Sequence, residues 1–306
     1  MAILFRVLLV ITGLTLWVGC KKNYTEIGPV STPSSRYLDA FNWVQYGNMP
    51  LVISVPHGGT VIPDSIADRT CAGITTAVDI FTIELVKAID SVFQKDYGIK
   101  PYLVTTDLRR IKLDQNREWA EATCSTNAKT YLWDNFHNAI DTCIQKAVAV
   151  YANCLYIDLH GHGHSTQRLE LGYLINTNGL QNVAGVNASN TSIGNLLAIS
   201  STSFTNLLTG STAFGTLMAA KGFPSVPSAT EPSPQTGDLF FDGGYNTSRY
   251  TNRVTYPKVF GWQIESNYDK VRDTRTNRGL FAKAFAQSIM QFFSNNTSMD
   301  TKGFGR

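Results

Sequence analysis

Cysteine is scarce in this sequence, five in 306 residues, and no two form a Cys-x-x-Cys pair, so a zinc ribbon or a thioredoxin-type redox site is excluded. Charge is scarce too. Only 16% of the residues are Asp, Glu, Lys or Arg, and 26 basic against 23 acidic side chains leave a net charge of +3 with no long basic run. That balance argues against a nucleic acid partner. No His-Glu-x-x-His, Gly-x-Ser-x-Gly or Gly-x-x-x-x-Gly-Lys-Ser/Thr signature occurs, which removes the commoner zinc peptidase, serine hydrolase and nucleotide-binding readings. Histidine is limited to five residues, so any imidazole chemistry must come from very few positions.

What is present is a chain with 43% hydrophobic and 11% aromatic residues, long enough to bury a core without metal or disulfide support. There is no internal repeat and no sign of a second domain. Met1 to Arg6 carries one positive charge, Val7 to Val18 is an apolar run shorter than the ~20 residues of a membrane span, and Gly19-Cys20-Lys21-Lys22 follows. Residues 1–19 therefore read as a signal peptide. Cys20 resembles the lipidated first residue of a bacterial lipoprotein, with Trp17 standing where Leu is usual. The expectation is an exported protein, lipid-anchored in the periplasm or at the cell surface. Pro29, Pro33 and the Ser-Thr-Pro-Ser-Ser run predict a tether over 20–46, on whose last residues Tyr37, Phe41 and Trp43 dock onto a domain over 47–295, with a polar tail over 296–306. In an oxidising compartment Cys71, Cys124, Cys143 and Cys154 could form two bridges in any of three pairings, or stay as buried thiols.

The apolar pattern predicts an α/β fold. Leu51–Val55, Lys100–Thr105, Leu155–Leu159, Leu169–Ile175 and Val259–Ile264 read as strands, several of them continuous apolar runs of the kind buried on both faces of a parallel sheet. Between them, Phe81, Leu85, Ala88 and Val92 mark a helix over 78–93 with Asp79 at its start. Phe136, Ile140, Cys143, Ala147 and Tyr151 mark a longer helix, and Phe281, Phe285, Ile289 and Phe292 a last one. A mostly parallel, mixed sheet flanked by helices follows. The Ser-, Thr-, Asn- and Pro-rich stretches 176–210 and 225–237 read as long surface loops, in the manner of lids.

Four of the five histidines fall just after two strands, in Pro56-His57-Gly58-Gly59 and in Asp158-Leu159-His160-Gly161-His162-Gly163-His164. The C-terminal ends of such strands are where open α/β sheets bind ligands. Zinc held by two imidazoles takes a carboxylate as third ligand, and Asp64, Asp79 and Glu84 are within reach in sequence. Glu265, directly after an apolar strand, is a candidate general base, because a carboxylate there is costly unless used or paired, Lys270 and Arg272 being the candidate partners. The segment from Arg109 to Arg117 combines guanidinium and amide groups suited to clamping a carboxylate and stabilising an oxyanion. Arg109 joins Asn116 and Arg117 there as a substrate-binding candidate. His162 and His164 could touch substrate or a second metal, or simply form an exposed turn. His137, inside the long helix, reads as structural.

Taken in order, Pro-His-Gly-Gly at 56–59, Asp79, Arg110 with Asp114-x-Asn116-Arg117, Asp158-x-His160, Gly243-Gly244-Tyr245 and Glu265 resemble the N-formylglutamate amidohydrolases, the N-formylglutamate deformylase-like proteins. The resemblance spans most of residues 50–293. It implies a single-domain α/β fold with a twisted sheet, phosphorylase/hydrolase-like and similar to zinc carboxypeptidases and aspartoacylases. It also implies one Zn2+ held by His57, Asp79 and His160, with Glu265 as base and Arg110 facing the oxyanion. Asn116 and Arg117 would then hold the substrate carboxylate. Asp114 would orient that loop, and Asp158, two residues before His160 on the same strand face, would accept an imidazole N–H. Thr60 stands three residues after His57, so the His-x-x-Glu pair of the carboxypeptidases is absent. The activity implied is hydrolysis of an N-acyl amino acid or peptide-like amide bearing a free carboxylate. The alternatives are a peptidoglycan amidase or carboxypeptidase on the same scaffold, and a non-catalytic surface binding lipoprotein.

Overall fold

The computed structural model describes residues 35–305, so the expected signal peptide, Cys20 and the first part of the tether lie outside the described residues. The described residues form eight strands: β1 (Ser35–Tyr37), β2 (Asn42–Gln45), β3 (Leu51–Val55), β4 (Tyr102–Thr106), β5 (Cys154–Gly161), β6 (Leu169–Gly172), β7 (Ser225–Val226) and β8 (Val259–Ser266), with β-branched residues concentrated in β3 and β4. They form one mixed sheet in the order β1-β2-β4-β3-β5-β8-β6-β7. Its centre, β4-β3-β5-β8, is parallel, as is β6 with β7, while β1-β2, β2-β4 and β6-β8 are antiparallel. The α/β, mostly parallel architecture read from the sequence is the one observed.

Among the described residues eight α-helices accompany the sheet: α1 (Thr82–Val92), α2 (Trp119–Thr123), α3 (Thr130–Tyr151), α4 (Thr177–Gln181), α5 (Phe204–Thr209), α6 (Phe214–Ala219), α7 (Tyr245–Tyr250) and α8 (Arg275–Asn296). The odd residues of β3 and β5 (Leu51, Ile53, Val55; Leu155, Ile157, Leu159) and the even residues of β8 (Phe260, Trp262, Ile264) enter the core beneath α1, α6 and α8. The opposite face packs Val52, Cys154 and Tyr156 against Phe136, Ile140 and Cys143 of α3 and Tyr250 of α7. Toward the C-terminal ends of the same strands this second face turns polar, giving Ser54, then Asp158 and His160, then Gln263 and Glu265, all buried. The two-residue period that fills one core thus delivers a polar row at one end of the other face.

Five expectations need correction. The tether is shorter than 20–46, since Ser35–Tyr37 and Asn42–Gln45 are sheet strands; Val44 is fully buried, and Asn42 donates from Nδ2 to the Leu132 carbonyl at 2.8 Å. The polar tail is docked rather than free, because Phe304 packs on Phe293 and Tyr151 and the Gly305 N–H reaches the Asn48 carbonyl at 2.8 Å. The stretch 176–210 is no surface loop: Ile193, Leu196, Leu207 and Leu208 belong to the main core. Within 225–237, Ser225–Val226 is the strand β7. Finally, the first helix begins at Thr82 rather than 78, because Phe81 adopts φ 66° and ends the turn that carries Asp79.

Among the described residues one disulfide, Cys71–Cys124, closes over a sequence separation of 53, and Cys143 and Cys154 are free and buried. Among the described residues no helix is long and apolar enough to cross a membrane.

Candidate metal centre

His57, Asp79 and His160 converge at the C-terminal edge of β3 and β5. Strand β5 delivers His160, and the chain leaving β3 delivers His57, whose carbonyl accepts the Asp79 N–H at 3.0 Å and so fixes the third residue. His57 Nδ1 lies 3.1 Å from His160 Nδ1, His160 Nδ1 lies 3.1 Å from Asp79 Oδ2, and His57 Nδ1 lies 3.6 Å from the same oxygen. Ligands about 2.0–2.2 Å from a tetrahedral zinc are separated by about 3.3–3.6 Å, so a triangle with edges of 3.1, 3.1 and 3.6 Å lies within a few tenths of an ångström of one face of such a site. The three groups fit a metal. Asp64 and Glu84, the other acids in sequence reach, do not join them in any three-residue cluster among the described residues.

Each imidazole is held from behind by a carboxylate. His57 Nε2 pairs with Asp114 Oδ1 at 2.6 Å and His160 Nε2 with Asp158 Oδ2 at 2.7 Å. This is the carboxylate–imidazole arrangement that fixes the tautomer of metal ligands and raises their basicity. Asp114 is held in turn by Arg110 Nε at 2.8 Å, with Arg69 3.7 Å away, and Asp158 by Ser54, Tyr156 and Asn246. Burial alone would raise the Asp114 and Asp79 carboxyls, yet His57 with Arg110, and His160 with His57, hold them far below the ordinary carboxylate range. Burial opposes a charged His160, but Asp158 and Asp79 keep its pKa well above the usual imidazole value.

A cavity of about 360 Å³ opens on this triangle, lined by Arg110, Asn116, Arg117, His162, His164, Phe241, Gln263 and Glu265, among others. Glu265 pairs in register with His160 across β5–β8 and accepts Gln263 Nε2 at 3.0 Å. Burial pushes its carboxyl up to about 8, with Asp79 and Glu170 adding to the rise and His160 opposing it. Lys270 and Arg272 form no salt bridge with it among the described residues.

The Arg109–Arg117 segment divides. Arg110 lines the cavity with its Nε on Asp114, and its terminal nitrogens make no hydrogen bond among the described residues. Arg109, its neighbour, does not line the cavity: it opens a turn that the Lys112 N–H closes on the Arg109 carbonyl at 2.8 Å, and Arg110, the next residue of that turn, is the one at the cavity wall. Asn116 Oδ1 accepts the Asn246 N–H at 2.8 Å and its Nδ2 lies 3.3 Å from His160 Nε2, so this amide braces the start of α7 against the imidazole. Gly244 presses on it so closely that a Cβ would collide with Asn116 Nδ2, which explains a glycine there. Arg117 donates to Glu121 and to the Asn116 carbonyl at the cavity mouth. His137 is buried in α3 and bonds Tyr250 at 2.7 Å, as a structural residue would.

The sequence reading missed Arg272 as a brace. Its buried guanidinium donates to the carbonyls of Ser266, Ile80 and His162, tying together the three segments around the triangle, and it covers Gly161 so tightly that no Cβ fits. Nothing local marks this residue, because its partners are backbone carbonyls, two of them from distant segments. Gln263, also missed, was detectable as the residue two before Glu265 on the same strand face.

No family model and no curated protein matches the sequence. Among solved structures, an N-formylglutamate amidohydrolase from Ralstonia eutropha superposes with a TM-score of 0.52 at 12% identity over 83% of this chain and 96% of that one. A gene product of Agrobacterium tumefaciens gives a TM-score of 0.50 at 11% identity, over 83% and 95% of the two chains. The chain therefore has the fold of an N-formylglutamate amidohydrolase, the fold that the resemblance of its motifs implies.

Proposed function

We propose that this chain is a metal-dependent amidohydrolase, with zinc as its metal, acting on a carbon–nitrogen bond other than a peptide bond in an N-acyl amino acid or similar small amide with a free carboxylate. The observation that carries the reading is the His57–Asp79–His160 triangle, with Asp114 and Asp158 behind its imidazoles and Glu265 in the same cavity. A divalent metal held by those three residues supplies, when bound, a Lewis acid and a water whose pKa falls toward about 7. Glu265 is placed to take a proton from the attacking water and return it to the departing amine; a dication nearby would lower its carboxyl from about 8, leaving it ionised for the first transfer. The free guanidinium end of Arg110 faces the cavity where negative charge would develop. Arg117 at the mouth supplies a cation for the substrate carboxylate.

The cavity, about 360 Å³, suits a small acyl amino acid better than a muropeptide. An exported, lipid-anchored location is part of the same proposal. The apolar leader, Cys20 and the Cys71–Cys124 disulfide support it, disulfides being typical of oxidising compartments.

The test is a screen of N-formyl, N-acetyl and longer N-acyl amino acids, each with a free or amidated carboxylate, with zinc or with chelator. Zinc-dependent release of amine from the free-carboxylate series is expected, with Glu265→Gln lowering kcat by about 10²–10⁴-fold. Activity confined to muropeptides would replace this reading with the cell-wall one. Activity that ignores chelator and Glu265→Gln alike would overturn it.

A further inference from the structure

The Asp158–His164 run carries two more histidines, in the same cavity but outside the triangle. His162 Nε2 donates to the Arg168 carbonyl at 2.8 Å, which fixes the tautomer and leaves the Nδ1 lone pair facing the His164 N–H at 3.1 Å. His164 Nδ1 lies 2.8 Å from Glu170 Oε1, and the other Glu170 oxygen accepts the Phe241 N–H at 2.8 Å. The ligand atoms of His162, His164 and Glu170 fall within 4.8 Å of one another. Glu170 is completely buried, a costly place for a carboxylate with one imidazole and one amide as partners.

The surrounding chain holds this cluster in place. Buried Arg168, one residue before β6, binds Glu231 and Asp238. That pins the segment that brings Phe241 over the cluster, where its N–H meets Glu170 and its ring stacks on His164 with centroids 4.7 Å apart.

We propose that His162, His164 and Glu170 form a second divalent-metal site, of the zinc class, in the wall of the cavity. Two imidazoles and one carboxylate are a donor set zinc takes. An imidazole whose far N–H is held by a carbonyl, beside a carboxylate whose far oxygen is held by an amide, is the outer arrangement that orients metal ligands. The ion displaces the proton shared by His164 Nδ1 and Glu170 Oε1, and His162 Nδ1 exchanges its contact with the His164 N–H for the metal. Bound there, the cation offers an anionic substrate group a second anchor. The inference does not rest on the hydrolase reading, because it concerns binding alone.

Zinc stoichiometry tests it. The tag-free exported chain and its His160→Ala, His164→Ala and Glu170→Gln variants are dialysed against buffered zinc and analysed for metal, with circular dichroism to verify folding. Two zinc ions per parent chain, and one in each variant, are expected. One ion in the parent, kept by His164→Ala and Glu170→Gln and lost from His160→Ala, overturns the second site and leaves the first standing. One ion lost only from His164→Ala and Glu170→Gln upholds the second site and removes the first. No ion in the parent removes both.

Discussion

At the scale of single residues, the candidate centre consists of side chains whose charges hold one another in place. Asp158 is completely buried, and its partners are His160, Ser54, Tyr156 and Asn246. Asp158→Asn keeps the shape but removes the charge that makes His160 basic, so zinc affinity is expected to fall about 10–100-fold in a competition titration with little loss of secondary structure. Proton linkage gives a second expectation. His160 holds a proton well above the ordinary imidazole pKa in the metal-free chain because Asp158 and Asp79 flank it. A metal must displace that proton, so affinity falls as pH falls, by roughly tenfold per pH unit for each proton displaced. Titrations at pH 6 and pH 8 measure this, and equal affinities would mean that His160 is not a ligand.

At the scale of elements, the site is where neighbouring strands present one face together. Ser54↔Asp158 joins β3 to β5, His160↔Glu265 joins β5 to β8, and Glu170↔Glu265 joins β6 to β8; the middle pairing depends on close contact between β5 and β8. Gly261 lies against the Tyr156 carbonyl so closely that a Cβ would overlap it. Gly261→Ala should therefore separate the two strands, costing about 3 kcal/mol or more in denaturant unfolding and weakening metal binding together with stability. The strands were legible in sequence because continuous apolar runs stopped by Pro or Gly have few other interpretations, as at Leu51–Val55. Asp158 and His160 were legible because a two-residue spacing on a strand fixes a shared face. The stretch 176–210 was not, because its core residues, Ile193, Leu196, Leu207 and Leu208, lie in short apolar pieces between polar stretches and follow no single period. The placement of Arg109 was not legible for a related reason: composition names a basic segment, but only the backbone path decides which of two adjacent arginines, 109 or 110, lines the cavity.

At the scale of the whole molecule, one disulfide encloses much of the site. The span from Cys71 to Cys124 contains Asp79, Arg110, Asp114, Asn116 and Arg117, so this bridge limits how far half of the centre can drift when the chain opens. Closing a loop of that length is worth about 4 kcal/mol in the chain-entropy view. Reduction under native conditions should lower the melting temperature and zinc affinity together, while Cys143 and Cys154, buried and with the Cys143 thiol pushed up to about 12, stay unreactive toward alkylating reagents until the chain unfolds.

The measurement that bears most directly on the whole account is a zinc titration of the chain from residue 20 onward beside its Asp79→Ala and His57→Ala/His160→Ala variants, with folding verified in each. A tight binding event present in the parent and missing from both variants is the expected result. Variants that bind zinc as the parent does, or a parent that binds none, would contradict a metal centre at His57, Asp79 and His160 and remove the basis for the proposed hydrolysis.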